Sequence, residues 1–315
     1  MSRWTTRDIP DQTGRRVVVT GATSGLGFHT ALELARHGAA VVLGVRDVDR
    51  GREAAERIRA EARGADVAPS RLDLADLSSV REFAGDVGRD RVDVLVNNAG
   101  VMALPPRRSV DGFELQLATN HLGPFALTGL LLPALLRRPG SRVVAVSSYL
   151  HRNGRIDLDD LMSDRSYGPW PAYSQSKLAN LLFMGELARR ARDAGVGLVT
   201  VAAHPGWATT NLQLAAPRMT GRRLTAVAAH GLNALVGQSA ASGAWSQLRA
   251  ATDPEAAGGD YFGPRGPGGL RGAPVRVGMS TRARDDVMAA RLWEESVRLT
   301  DVDYRVLSTS GAQGS

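Results

Sequence analysis

Residues 16 to 27 hold the feature that most narrows the folds open to this chain. A β-branched apolar run, Arg16-Val17-Val18-Val19-Thr20, passes without a linker into Gly21-Ala22-Thr23-Ser24-Gly25-Leu26-Gly27, and a helical pattern begins near Phe28. A strand that is apolar on consecutive positions, followed by a glycine turn and a helix, must be covered on both faces. The same alternation recurs. Apolar runs at Ala40–Arg46, Asp66–Ala68 leading into Arg71–Leu74, Val92–Val96, Arg142–Val146 and Gly197–Ala203 are separated by helical stretches, among them Glu53–Ile58, Leu127–Arg138 and Ala172–Arg192.

Strands alternating with helices predict an α/β fold: a Rossmann-type, doubly wound parallel sheet that binds ligands outside the carboxyl ends of its strands. A short seventh strand at Gly258–Gly263 and a last helix carrying Met288, Leu292, Trp293 and Val297 complete the pattern, for a sheet of about seven strands. Neither a repeat nor a linker divides the chain. The expected organisation is a flexible leader (1–12), a single domain (13–305) with substrate loops near 149–171 and 207–237, and a flexible tail (306–315).

The glycine turn suits a pyrophosphate. Gly21 can take a tight turn, while Gly25 and Gly27 lack the Cβ that would hold a phosphate off the backbone and the helix off the strand. Thr23, Ser24 and Leu26 complete the loop, and the helix that follows offers free N–H groups and a positive dipole end. The glycine spacing differs from the general G-x-G-x-x-G fingerprint. At the end of the second strand, about 20 residues on, an NAD enzyme would carry an acid for the ribose. Val45 stands there, and Arg46 beside it presents a fork suited to a 2′-phosphate, so NADP, with NADPH preferred over NADH, is the expected cofactor. Asp47 is read as a helix cap.

A second constellation lies at Tyr173-Ser174-Gln175-Ser176-Lys177, whose ionisable ends share one helix face. Alone, such a pair is also ordinary on a surface. The chain holds 39 Lys plus Arg, however, and Lys177 is the single lysine among them. An ammonium is a compact donor where a guanidinium is a broad plane, so this position is one that arginine does not fill. Twenty-five positions earlier, Ser148 ends a strand. Asn120 sits inside a long apolar helix, next to His121, a packing or surface histidine. Asn97-Asn98-Ala99-Gly100 ends another strand and could be a purely structural turn.

Together Thr20–Gly27, Asn97–Gly100, Asn120, Ser148, Tyr173 with Lys177, and Pro205-Gly206 resemble the short-chain dehydrogenases/reductases over nearly the whole chain. The wording around Asp111–Asn120 and Ser174–Phe183, with Arg46, resembles their retinol dehydrogenase-like, NADP-preferring branch. The resemblance implies an oxidoreductase that interconverts a carbonyl and a secondary or primary alcohol on a hydrophobic small molecule. It implies Tyr173 as general acid/base, Ser148 on the substrate oxygen, Lys177 on the nicotinamide ribose and Asn120 ordering a water. Asp73, with Leu74, would meet the adenine; Asn98, Ala99 and Gly100 would lie beside the cofactor, and Pro205, Gly206 and Thr210 at its nicotinamide side. Trp170 and Trp207 are candidates for the substrate pocket, although either could be core. A free tyrosine titrates near ~10, and bringing it toward ~7 takes about 4 kcal/mol, which Lys177 and an oxidised nicotinamide could share. The alternative on the same fold is a non-catalytic NADP(H)-binding sensor or scaffold.

Composition removes other classes. With no cysteine there is no disulfide, thiol nucleophile or Cys-ligated zinc, and no metal is expected. The net charge of +7 comes from arginines scattered among acids, which argues against nucleic acid. The leader lacks an apolar h-region and Leu127–Leu136 falls short of a bilayer span of roughly 17 to 25 residues, so a cytoplasmic protein without an integral membrane segment is expected. A homodimer or homotetramer is compatible with the sequence.

Overall fold

The computed structural model describes residues 3–207 and 238–307. Eight strands form one sheet in the order β3-β2-β1-β4-β5-β6-β7-β8. These are β1 Arg16–Thr20, β2 Ala40–Val45, β3 Val67–Arg71, β4 Val94–Asn97, β5 Ser141–Val146, β6 Leu198–Ala203, β7 Tyr261–Pro264 and β8 Pro274–Arg276. All neighbours are parallel except β7 and β8, which pair antiparallel from Phe262↔Arg276 to Pro264↔Pro274. The sheet therefore has one strand more than the seven expected. The extra strand is three residues long and lies in a glycine- and proline-rich stretch, and its edge position tolerates Pro274, which cannot donate to a ladder.

Helices cover both faces. On one side α1 Gly25–Arg36, α2 Val48–Glu61 and α7 Trp245–Thr252 pack over Val17, Val19, Leu43 and Val96. On the other, α3 Leu77–Val87, α5 Gly123–Leu135, α6 Pro169–Asp193 and the last helix, α8 Asp286–Thr300, enclose Val18, Leu95 and Val143. The alternating strand residues thus feed two cores, as the uninterrupted apolar runs require. Helix α3 was not apparent from local pattern, although Asp76 caps it through Ser78 N and Ser79 N and it buries Leu77, Val80, Phe83, Ala84 and Val87. Asp47 caps α2 by accepting from Arg50 N at 3.1 Å, as read from the sequence.

A one-turn helix α4 Leu115–Leu117 leads through a π-helical turn, Ala118–Leu122, into α5. His121 is a packing residue. It is buried, shares a hydrogen bond of 2.9 Å with Ser296 Oγ, and is pushed down to about 3 by burial, which keeps it neutral. Around it Phe125, Phe183, Trp293 and Tyr304 fasten α8 to α5 and α6, with Trp293 and Tyr304 centred 4.4 Å apart. Among the described residues no helix is long and apolar enough to cross a membrane.

Gly123 joins the π-helical turn to α5 where no side chain fits, since a Cβ there would stand 2.3 Å from the backbone oxygen of Leu74. Gly123→Ala is expected to destabilise the fold by about 1–3 kcal/mol, because a backbone carbonyl cannot swing away. Gly85→Ala, in open space on the exposed face of α3, should be neutral or slightly stabilising. Thermal melts of the two variants check the contrast, and equal melting temperatures would contradict it.

Candidate active site

The glycine turn is shaped by contacts that exclude side chains. Gly21 and Gly25 have φ of +67° and +59°, in the left-handed region that favours glycine. A Cβ on Gly21 would lie 2.9 Å from Ala99 Cα, and one on Gly27 would lie 2.5 Å from both Asn98 Nδ2 and Gly21 O. The turn at the end of β4 is bonded to this loop. Asn98 N and Ala99 N each donate to Thr20 Oγ1 at 3.0 Å, and Asn98 Nδ2 donates to Thr20 O at 2.8 Å. Asn97 faces elsewhere and donates to Thr128 Oγ1. Ser24, the N-cap of α1, makes no side-chain capping bond, so the first-turn N–H groups of a twelve-residue helix point at the loop without that partner.

A cavity of about 430 Å³ opens above these turns at the carboxyl ends of the strands. It is lined by Gly21, Thr23, Ser24, Gly25, Leu26 and Gly27, by Arg46, Asp73 and Leu74, by Asn98, Ala99 and Gly100, and by Tyr173, Lys177 and Pro205. Segments far apart in the chain thereby face one space, which fits an elongated dinucleotide with its phosphates on the glycine turn. Arg50, in the first turn of α2, also lines it. Arg50 carries no local signal among so many arginines, because Arg46 stands before the N-cap Asp47 and shares no helix face with it. A groove of similar volume, about 460 Å³, lies at the amino ends of the strands, and none of the predicted residues line it.

Lys177 and Tyr173 are almost fully enclosed, at 4% and 5% exposure. Lys177 Nζ donates to Val146 O at 2.9 Å, and Ser147 Oγ donates to Lys177 O at 2.8 Å, so α6 is tied to the end of β5. The ammonium lies 5.8 Å from the centre of the Tyr173 ring. Ser148 follows β5 and caps the turn Tyr149–Asn153; its hydroxyl accepts from Leu150 N at 3.2 Å and stands near enough to the Tyr173 phenol to favour the ionised form. Asn120, in the π-helical turn, accepts from Val101 N at 2.8 Å and donates to Val101 O and Ser176 Oγ, both at 2.9 Å. A Cβ on Gly100 would lie 3.1 Å from Asn120 Oδ1 and 3.4 Å from Lys177 Nζ, which places these two side chains on the same small space.

Other predicted residues stand at the edge. Trp170 belongs to the first turn of α6, not to a loop; it is 52% exposed and edge-on to Tyr173 at 6.5 Å. Trp207 is 42% exposed, which excludes a core role for it as it does for Trp170. Gly206, at φ +66°, is locked behind Pro205, where a Cβ would meet Leu270 O at 2.3 Å. Thr210, and the 207–237 loop beyond Trp207, lie outside the described residues.

The expected lowering of the tyrosine differs from what burial does. Burial takes the Tyr173 phenol up to about 12, opposed by the Ser148 hydroxyl beside it, and takes Lys177 down to about 8. Each charged form loses water, and one backbone carbonyl only partly replaces it for the ammonium.

A family model described as short chain dehydrogenase matches residues 15–219. Retinol dehydrogenase 13 of Homo sapiens is 40% identical over 298 residues, covering 92% of this chain and 86% of that protein. Among solved structures, an uncharacterised protein from Mycobacterium Paratuberculosis aligns with a TM-score of 0.81 at 46% identity, over 96% of this chain and 99% of the other. An NAD(P) dependent gluconate 5-dehydrogenase from Beutenbergia cavernae with bound NADP aligns with a TM-score of 0.60 at 28% identity, over 76% and 90%.

The buried lysine makes stability depend on pH in a definite direction. Its folded value of about 8 lies below the ordinary 10.5, so between them the unfolded chain holds more protons. Stability linked to Lys177 is therefore fully present above pH 10.5 and is lost as pH falls through about 8. Relative to Lys177→Met, the wild-type melting temperature should rise as pH is taken from 7 to 10. A difference between the two proteins that does not change with pH would contradict this.

Proposed function

The chain belongs to the short-chain dehydrogenase family, and on that premise we propose that it reduces and oxidises a hydrophobic carbonyl/alcohol pair with NADP(H), using Tyr173 as general acid/base. Its place in the family makes it an oxidoreductase acting with a nicotinamide cofactor. The reading of the individual residues is carried by one observation: Tyr173 and Lys177, far along the chain, line the same cavity as the glycine turn.

Bound NADPH would supply a hydride from nicotinamide carbon 4, and NADP⁺ a positive charge near the phenol. In reduction, Tyr173 gives its proton to the carbonyl oxygen while the nearby Ser148 hydroxyl holds that oxygen in place. Lys177 has three donors and uses one on Val146 O, which leaves two for the ribose hydroxyls. Its charge favours the phenolate that burial disfavours. Asn120, held by both polar atoms of Val101, positions the water that returns a proton toward Lys177.

Arg46, with Arg50 behind it, takes the 2′-phosphate at the adenosine end, and Val45 leaves no acid to bind an unphosphorylated ribose. Asp73 and Leu74 border the adenine. The name of the human relative, a retinol dehydrogenase, and the half-exposed Trp170 and Trp207 support an apolar substrate entering between the segment 149–168 with the first turn of α6 and Trp207.

Tyr173→Phe should lower turnover by about a thousandfold or more while NADPH binds nearly as before, because only the proton-bearing oxygen is removed. Lys177→Arg should lose rate and cofactor affinity together, since a fork crowds a space shaped for an ammonium. Steady-state rates on a hydrophobic aldehyde and ketone panel, with NADPH titrations, make the comparison; substantial turnover by Tyr173→Phe would remove this site from the chemistry.

For the cofactor, Arg46→Ala should weaken NADPH binding about tenfold, the loss of one charge-assisted contact, and leave NADH binding unchanged. Dissociation constants for both cofactors decide it. Tighter binding of NADH by the wild type, or no effect of the substitution, would overturn the NADP assignment.

A further inference from the structure

Gln247 is 1% exposed on α7, on the face of the sheet opposite α6, and it does not itself line the cavity. Its side-chain nitrogen donates two hydrogen bonds, to Thr30 Oγ1 at 2.6 Å and to Asn98 Oδ1 at 3.1 Å. Both partners are remote in the chain, 217 and 149 residues away. Each bond continues in a set direction. Thr30 Oγ1 accepts from Gln247 and donates to Leu26 O at 2.8 Å. Asn98, with its oxygen held by Gln247, turns its nitrogen to Thr20 O at 2.8 Å and Gly21 O at 3.4 Å.

An amide nitrogen only donates, so Gln247 sets the polarity of both branches. Asn98 turned the other way would place its oxygen against two carbonyl oxygens and its nitrogen against the nitrogen of Gln247. Both branches end on the glycine turn, one at its start and one where α1 begins. The turn has no slack to absorb a change, since a Cβ on Gly27 would come within 2.5 Å of Asn98 Nδ2.

We propose that Gln247 is a positioning residue for the cofactor: through Asn98 and Thr30 it holds the Thr20–Gly27 turn in the shape that receives the pyrophosphate of NADP(H). The inference rests on the cofactor reading given above. It assigns a role to a residue outside the stretch 15–219 that the family model matches.

Gln247→Met keeps the length and removes the donor, while Thr30→Val breaks one branch with little change of shape. NADPH is titrated into wild type and each variant by tryptophan fluorescence, with melting temperatures and the KM for NADPH measured alongside. Gln247→Met should raise the NADPH dissociation constant about tenfold, with the loss falling on the KM for NADPH more than on kcat. Thr30→Val should raise it less, since the branch through Asn98 remains, and the double variant should lose less than the two single losses combined, because both changes delete the one bond between Gln247 and Thr30. Wild-type NADPH affinity in both single variants, however far their melting temperatures fall, overturns the inference and leaves Gln247 a buttress between α7 and α1. If Gln247→Met does not fold, Thr30→Val decides alone: weakened binding supports the proposal and unchanged binding overturns it. A wild type that binds neither NADPH nor NADH overturns the cofactor reading, and this inference with it.

Discussion

An ammonium enclosed by protein is costly to bury, and much of the site depends on how Lys177 is kept. Water is replaced by the carbonyl of Val146, which a parallel strand leaves available at its carboxyl end. The helix carrying Lys177 is held against that strand end by Ser147 Oγ on Lys177 O. At about 8, the lysine still carries its proton at neutral pH, so a charge persists beside a phenol that burial keeps protonated. Nζ shares a small space with Asn120 Oδ1 beside Gly100, and a guanidinium is broader than the ammonium that occupies it. That accounts for the one lysine in a chain otherwise supplied with arginine.

Sterics govern the other end of the cavity. Gly21 and Gly27 press against Ala99 and Asn98, so the loop after β1 and the loop after β4 form one hydrogen-bonded unit through Thr20. The first turn of α1 faces the resulting concavity. On the proposed reading, binding there is a matter of backbone shape, set in part by Gln247, which does not line the cavity. The π-helical turn is a second instance: it presents Asn120 inward between Val101 and Ser176 from within an otherwise apolar helix.

Much of this was legible in the sequence, because the signals are local. Consecutive β-branched residues announce buried parallel strands, and the glycine spacing and the Tyr173–Lys177 pair are read within a few positions. What escaped has a different physical origin. Strand β8 is too short and too rich in proline and glycine to show a period, and it exists because β7 offers it an edge. Trp170 read as loop because Pro169 and Pro171 surround it, yet proline suits the first turn of a helix. The direction of the tyrosine shift depends on enclosure, which no motif records. Gln247 and Arg50 gain meaning only from partners brought close by the tertiary fold.

The central claim is that one cavity joins a dinucleotide to a proton-donating tyrosine for direct hydride transfer. The most direct measurement uses NADPH deuterated at the transferring position of nicotinamide carbon 4, with the wild-type protein and a panel of hydrophobic aldehydes and ketones, the products being examined by mass spectrometry and NMR. The account predicts consumption of NADPH and deuterium on the former carbonyl carbon of the alcohol, with none entering there from solvent. No consumption of NADPH or NADH with any member of the panel, or an alcohol whose new C–H bond carries solvent hydrogen, would contradict it.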